Sequence, residues 1–231
     1  MRIVFGLAGA LVLSVLAGLL YVYSQVRFDA YAIIDYKPKL TTQLFDRHGR
    51  LVANVFEGEH RLYVPYEQIP PRIIEALVAI EDTAFFEHGG INMEAIFRAA
   101  IKDIQAMKLV EGASTITQQL VKNVVLSREK TFQRKLNEVI LAFKIENELT
   151  KEEILERYLN HVYFGHGYYG IKTAAQGYFN KSLAELTLKE IAMLVGLPKA
   201  PSAYDPTRNL DLALARANQV LSRMNTLGWV S

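Results

Sequence analysis

A mainly α-helical domain behind a single membrane-spanning helix is the fold class that the 231-residue sequence predicts. Three observations lead there. Residues 3–26, IVFGLAGALVLSVLAGLLYVYSQV, carry no charged side chain. From Pro71 onward, apolar residues recur at helical spacing in one segment after another, with polar caps and glycines between them. Only residues 30–70 read as extended and irregular. There is no cysteine, so a disulfide framework is excluded. A chain of this length buries a sizeable core without such staples.

The first segment follows Arg2 and ends at Arg27 and Asp29. As a helix it rises about 36 Å, enough to cross a hydrocarbon core about 30 Å thick with some tilt. Tyr21 and Tyr23 lie near one end, where interfacial tyrosines collect. A cleaved signal peptide is the competing reading, but its apolar core is shorter, so residues 1–27 are expected to be an uncleaved anchor. The positive-inside rule then puts the N-terminus in the cytoplasm and residues 27–231 outside.

Residues 28–70 are expected to be an extended or hairpin segment leading into the domain. In TTQLFDRHGRLVANVF, FDRHG reads as a turn with Gly49 at positive φ, and RLVANVF as the return strand. VPYEQIPP reads as a linker whose Pro70 and Pro71 enter the first turn of a helix. Residues 71–231 then form one mainly helical domain, with helical segments at 72–82, at 92–107 behind a capping Asn92, at 114–125 and at 129–148. Another follows Thr150, whose Glu153 three residues on is a capping-box signature. Three further segments are GIKTAAQGYF, TLKEIAMLVGLPKAP and LDLALARANQVLSRMNTLGW.

The net charge is only +2, and no basic patch or recognition motif stands out, so nucleic acid is not an expected partner. Chemistry-bearing residues gather in three places. In EDTAFFEHGG, residues 81–90, Glu81 and Asp82 stand beside Phe85 and Phe86, with His88 following. Partial burial against aromatics would fit Glu81 for proton transfer. His88 has no H-E-x-x-H or C-x-x-C partner and reads as a structural histidine. GASTITQQLVKN, residues 112–123, concentrates neutral donors around Lys122, which suits a sugar or a phosphate as well as a polar loop entering a helix. In RKLNEVILAFKIENE, residues 134–148, Arg134 and Lys135 share a helix face with Glu138 and offer a landing place for a diphosphate; a salt-bridged surface helix has the same pattern. Two glutamates in different settings are usual equipment for glycosyl chemistry. The sequence alone does not bring Glu81 and Glu138 together.

Five blocks in order carry a resemblance: EDTAFFEHGG, GASTITQQLVKN, RKLNEVILAFKIE, KEEILERYLNHVYFGHGYYGIKTAAQGYF and LTLKEIAMLVGLPKAPSAYDP. Over residues 40–228 the sequence resembles the peptidoglycan glycosyltransferase domain of class A penicillin-binding proteins, glycosyltransferase family 51. The resemblance implies a lysozyme-like, two-lobed helical fold whose smaller apolar lobe, near residues 96–110 and 124–126, dips into the outer face of the membrane. It implies polymerisation of lipid II into β-1,4-linked glycan by inverting transfer, with release of undecaprenyl diphosphate, at the outer, periplasmic face of a bacterial cytoplasmic membrane.

By the same resemblance Glu81 is the general base and Glu138 assists departure of the diphosphate. Arg134 and Lys135 bind that diphosphate, and Ser114, Gln118 and Lys122 are polar groups of the donor site, with Arg98 a further cation. Asp82, Phe85 and His88 support the first motif. A divalent cation, Mg or Mn, is a cofactor the family leaves open near the diphosphate. Expected partners are lipid II, the growing lipid-linked glycan, the membrane and other cell-wall synthesis proteins. Within residues 1–231 there is no S-x-x-K, S-D-N and K-T-G set, so no transpeptidase domain is expected there; a piece of a bifunctional protein and a monofunctional enzyme both stay open. Two other functions compete with this one: a lysozyme-like lytic hydrolase, and a non-catalytic anchored cell-wall scaffold.

Overall fold

The computed structural model describes residues 37–106, 112–124 and 131–230, together with 13–14, 17–18, 21 and 31–34. The anchor expected over residues 1–27 therefore lies outside the described residues. Among those described, no helix is long and apolar enough to cross a membrane.

The fold is mainly helical. Helix α1 (Pro71–Glu81) starts on its proline, which occupies the first helical position, where a missing N–H costs nothing. Ile73, Ile74, Ala76, Leu77, Val78 and Ala79 are all buried, so α1 is covered on most of its circumference and runs through the centre of the domain. Then come α2 (Met93–Ala106), α3 (Ile116–Val124), α4 (Phe132–Glu148), α5 (Lys151–His161), α6 (Ile171–Phe179), α7 (Leu188–Gly196) and α8 (Leu210–Thr226). Helices α1, α7 and α8 pack together, and α3 lies on α4 and α5.

Local signals set most helix starts. Asn92 Oδ1 accepts from Ala95 N at 2.8 Å. The Thr150–Glu153 capping box opens α5 with both reciprocal hydrogen bonds, and Thr187 with Glu190 opens α7 in the same way.

The hairpin forms where the turn residues place it. Strand β1 (Thr42–Phe45) pairs antiparallel with β2 (Leu51–Val55), the register slipping between Leu44 and Phe45. Asp46 Oδ1 accepts from His48 N at 2.8 Å and Arg50 N at 2.9 Å, and Gly49 turns the chain at φ +77°.

The VPYEQIPP stretch holds a short 3-10 turn, Tyr66–Gln68. Just before it, the chain is woven into the helical body. Strand β3 (His60–Arg61) runs parallel to β4 (Tyr168–Tyr169), a pairing with no local signature in the sequence. The Arg61 side chain is fully buried: it donates to the Asn160 carbonyl, pairs with Glu59 at 2.5 Å and lies 5.2 Å from the Tyr169 ring centre. Asn160 on α5 acts as a substitute strand. Its Oδ1 accepts from Val64 N at 2.8 Å and its Nδ2 donates to Val64 O at 2.7 Å. Removing this amide leaves a buried peptide donor and acceptor unpaired. Asn160→Ala is expected to cost about 2–4 kcal/mol, read as a lower denaturant midpoint at unchanged slope.

Candidate active site

Glu81 and Asp82 stand where α1 ends. Asp82 leaves helical geometry at φ −161°, while its N–H still closes the last turn on Val78 O. Its carboxylate is almost fully buried and joins two segments. Oδ2 accepts from Ile116 N, the first residue of α3, at 3.1 Å, and lies 2.9 Å from His88 Nε2. An anion at a helix N-terminus is favourably placed against the helix dipole. Gly90 N donates to His88 Nδ1 at 3.2 Å, so that nitrogen carries the lone pair and Nε2–H faces Asp82.

Phe85 is fully buried, 6.1 Å from the His88 ring and 4.4 Å below Lys151 Nζ. That ammonium pairs with Glu146 at 2.5 Å and donates to His88 O at 2.6 Å. Phe86 is exposed and gives Glu81 no apolar enclosure. The loop closes on Gly90, at φ +98°, where an added Cβ would stand 2.9 Å from the Ala142 carbonyl group of α4. Only glycine allows that approach without strain.

The side chains that hold Glu81 are polar, which corrects the expectation of an aromatic setting. Oε2 accepts from Gln119 Nε2 at 2.9 Å, and Oε1 lies 3.3 Å from Arg216 Nη2. The Glu81 side chain is 12 % exposed, so it sits in the wall of the protein with one face open. Gln119 is itself oriented: Tyr158 OH donates to its Oε1 at 3.2 Å, leaving the amide nitrogen for Glu81. Burial first, and then the Glu81 charge, push the Tyr158 phenol well above its ordinary range, so it stays a donor.

Glu138, Ala142 and Glu146 follow one another at four-residue intervals on α4 and line its inward face. Ala142 receives Gly90, and Glu146 accepts from Thr117 Oγ1 at 2.5 Å. Glu138 is 3 % exposed; Lys135 Nζ binds its Oε1, and Arg134 Nη1 lies 4.0 Å from Oε2. Lys135 Nζ also donates to Ser114 Oγ at 3.0 Å. The second and third motifs thus meet at Ser114, Lys135 and Glu138. Helix α3 links this cluster to Glu81, with Ser114 just before its start and Gln119 in its first turns. That span is about 7–8 Å of helix rise.

Other expected site residues are placed differently. Gln118 is 2 % exposed and its Oε1 accepts from Thr115 N at 3.0 Å, while Thr115 Oγ1 accepts from Gln118 N at 3.1 Å. This reciprocal pair is a capping box, so Gln118 starts α3 and does not face an open site. Lys122 is exposed in the last turn of α3, and Arg98 is exposed on α2. Gln119, Tyr158 and Arg216 surround Glu81 without being singled out by the sequence as its partners. Arg216 is the hardest to find, lying 135 residues from Glu81. Its one signal is a cation inside the apolar stripe Ala213, Ala217, Val220 and Met224, the buried face of α8.

Comparison with known proteins identifies the family. The family model described as Transglycosylase matches residues 48–225. Penicillin-binding protein 1A of Escherichia coli (strain K12) is 45 % identical over 203 residues, covering 88 % of this chain and 24 % of that protein. Penicillin-binding protein 1A of Aquifex aeolicus (strain VF5) is 42 % identical over 233 residues, 100 % of this chain and 32 % of the relative. Penicillin-binding protein 1F of Bacillus subtilis (strain 168) is 42 % identical, covering 90 % of this chain and 30 % of its own length. The chain therefore spans a quarter to a third of the relatives it matches. Among solved structures, penicillin-binding protein 1A from Haemophilus influenzae aligns with a TM-score of 0.48 at 29 % identity, over 85 % of this chain and 19 % of that one. With its motifs joined around α3 and the family model spanning residues 48–225, the chain belongs to the transglycosylase family found in class A penicillin-binding proteins.

Proposed function

We propose that this chain is a peptidoglycan glycosyltransferase that polymerises lipid II. The observation that carries the reading is that the segment from Ser114 to Gln119 joins a fixed carboxylate, Glu81, to two cations, Lys135 and Arg134, that Glu138 holds. Glu81 takes the proton from the acceptor's GlcNAc 4-hydroxyl. That oxygen attacks C1 of the donor MurNAc, which is α-linked to undecaprenyl diphosphate. The C1–O bond to the diphosphate breaks as the new bond forms, leaving a β-1,4 linkage and free lipid diphosphate.

Charge on the leaving group is met by fixed side chains. Arg134, whose Nη1 lies 4.0 Å from Glu138 Oε2, is a second fixed cation beside Lys135. Lys135 is half exposed and held between Ser114 and Glu138. In this reading Glu138 assists departure by fixing both cations. The same reading assigns the exposed Lys122 and Arg98 to the donor side, and Gln118 supports it by starting α3. A Mg or Mn near the diphosphate would be held by Glu138 together with the diphosphate's own oxygens and water. Glu138 also engages two cations, and no group of three His, Cys, Asp or Glu able to hold a metal occurs among the described residues.

The two-lobed, lysozyme-like reading assigns α2 to the lobe that enters the membrane. Phe97 and Ile104 on this helix are 64 % and 76 % exposed, and Met93 and Ile101 continue the same stripe. Such a stripe in water is costly, whereas burial is worth roughly 1.5–3 kcal/mol for each large apolar side chain. In this reading an anchor over residues 1–27 and the apolar stripe of α2 together hold the enzyme at the outer face of the cytoplasmic membrane. Replacing Phe97 and Ile104 by aspartate is expected to lower the rate on bilayer-embedded lipid II about 10-fold or more. The same variant keeps its activity on a short-chain, water-soluble substrate.

Incubating the detergent-solubilised chain with labelled lipid II tests the whole reading. Polymer with release of lipid diphosphate supports it. Fragments released from preformed glycan would assign a lytic hydrolase instead, and glycan binding without turnover a scaffold.

A further inference from the structure

Arg216 belongs to the last helix, yet its guanidinium reaches the end of α1. Nη2 lies 3.3 Å from Glu81 Oε1, and the side chain is 6 % exposed. It is held from behind as well: Nε donates to Gly196 O at 3.4 Å and Nη1 to Gln219 Oε1 at 3.1 Å.

Gly196, at the C-terminal end of α7, makes the seat. A Cβ added there would stand 2.8 Å from Arg216 Cγ, near the root of the side chain, where a small rotation cannot relieve the contact. Gly196 has an ordinary helical φ of −75°, so alanine there brings no backbone strain, only displacement of Arg216.

On the opposite side, Glu81 Oε2 is held by Gln119, which Tyr158 orients. One carboxylate is thus gripped from α3 and α5 on one oxygen and from α7 and α8 on the other. An ionised carboxylate has about four lone-pair directions. One bond to each oxygen leaves the others aimed in a fixed direction.

We infer that Arg216, seated on Gly196, is a positioning residue that aims the Glu81 carboxylate at the acceptor hydroxyl. This rests on the reading of Glu81 as the general base. A simple strut between α8 and α1 would stabilise the fold without affecting turnover below the melting temperature. A positioning residue changes kcat, because small misplacements of a reacting group cost about 100-fold.

The test compares Arg216→Gln, Arg216→Lys, Gly196→Ala and the double variant Gly196→Ala/Arg216→Gln. It uses the full chain in detergent, with kcat and KM on lipid II, thermal melting, and the 13C side-chain carboxyl resonance of Glu81 assigned through Glu81→Gln. Arg216→Gln is expected to lower kcat about 100-fold with KM within about 3-fold, and Arg216→Lys to restore part of it. Gly196→Ala is expected to lower kcat about 10-fold or more, to shift the Glu81 resonance, and to add little to Arg216→Gln. A kcat for Arg216→Gln within about 2-fold of the parent, with the Glu81 resonance unmoved, overturns the inference. So does a loss that the unfolded fraction fully explains, or multiplicative effects of the two substitutions. If the parent makes no polymer yet both substitutions shift the Glu81 resonance, the seat stands and the reading of the reaction fails.

Discussion

Glu81→Gln is expected to lower lipid II polymerisation by about three orders of magnitude while leaving the fold intact. Glutamine has nearly the same shape and can still accept from Gln119 through its remaining oxygen. It cannot take a proton at the working pH. Arg216 keeps Gly196 and Gln219 as partners, so the melting temperature is expected to fall by only a few degrees. The comparison is made by gel separation of labelled glycan from parent and variant at equal folded concentration. Activity near the parent's would mean that another group removes the proton.

Lys135→Ala and Glu138→Gln are each expected to slow turnover about 100-fold, by different routes. Lys135→Ala removes a cation proposed to bind the diphosphate and should raise KM for lipid II as well. Glu138→Gln leaves both cations present but untethered. It also removes the anion from a pair in which the carboxylate is 3 % exposed and Lys135 is 46 % exposed. Screening at the half-exposed lysine limits the stability cost to about 1–2 kcal/mol. The two groups act as one unit, so the double variant should lose less than the product of the single losses. Steady-state kinetics on all four proteins measure that coupling.

Which of these features the sequence displays depends on how far the interaction reaches. Caps and turns are local. Thr150 with Glu153, Asn92, Pro71 and the Asp46–Gly49 turn can be read directly, and the structure has each where the residues put it. The Thr115–Gln118 box has the same T-x-x-Q signature, but it sits among so many polar residues that a ligand site competes as its explanation. Arg134, Lys135 and Glu138 group by helix periodicity alone.

Long-range pairing has no such signature. Asn160 bound to Val64, β3 beside β4, and Arg216 on Glu81 each join segments that only the folded chain brings together. The aromatic residues next to Glu81 in sequence mislead for the same reason. At the end of α1 the chain turns, sending Phe85 into the core and leaving Glu81 facing Gln119 and Arg216.

The most direct measurement is the configuration of the bond in polymer made by the parent chain from α-linked lipid II. One carboxylate acting as base in a single displacement predicts only β-1,4 linkages, seen by NMR couplings and by complete digestion with a β-1,4-specific muramidase. An α-linked product would require a double displacement through a covalent intermediate, or attack on the same face as the leaving group, and would contradict the account.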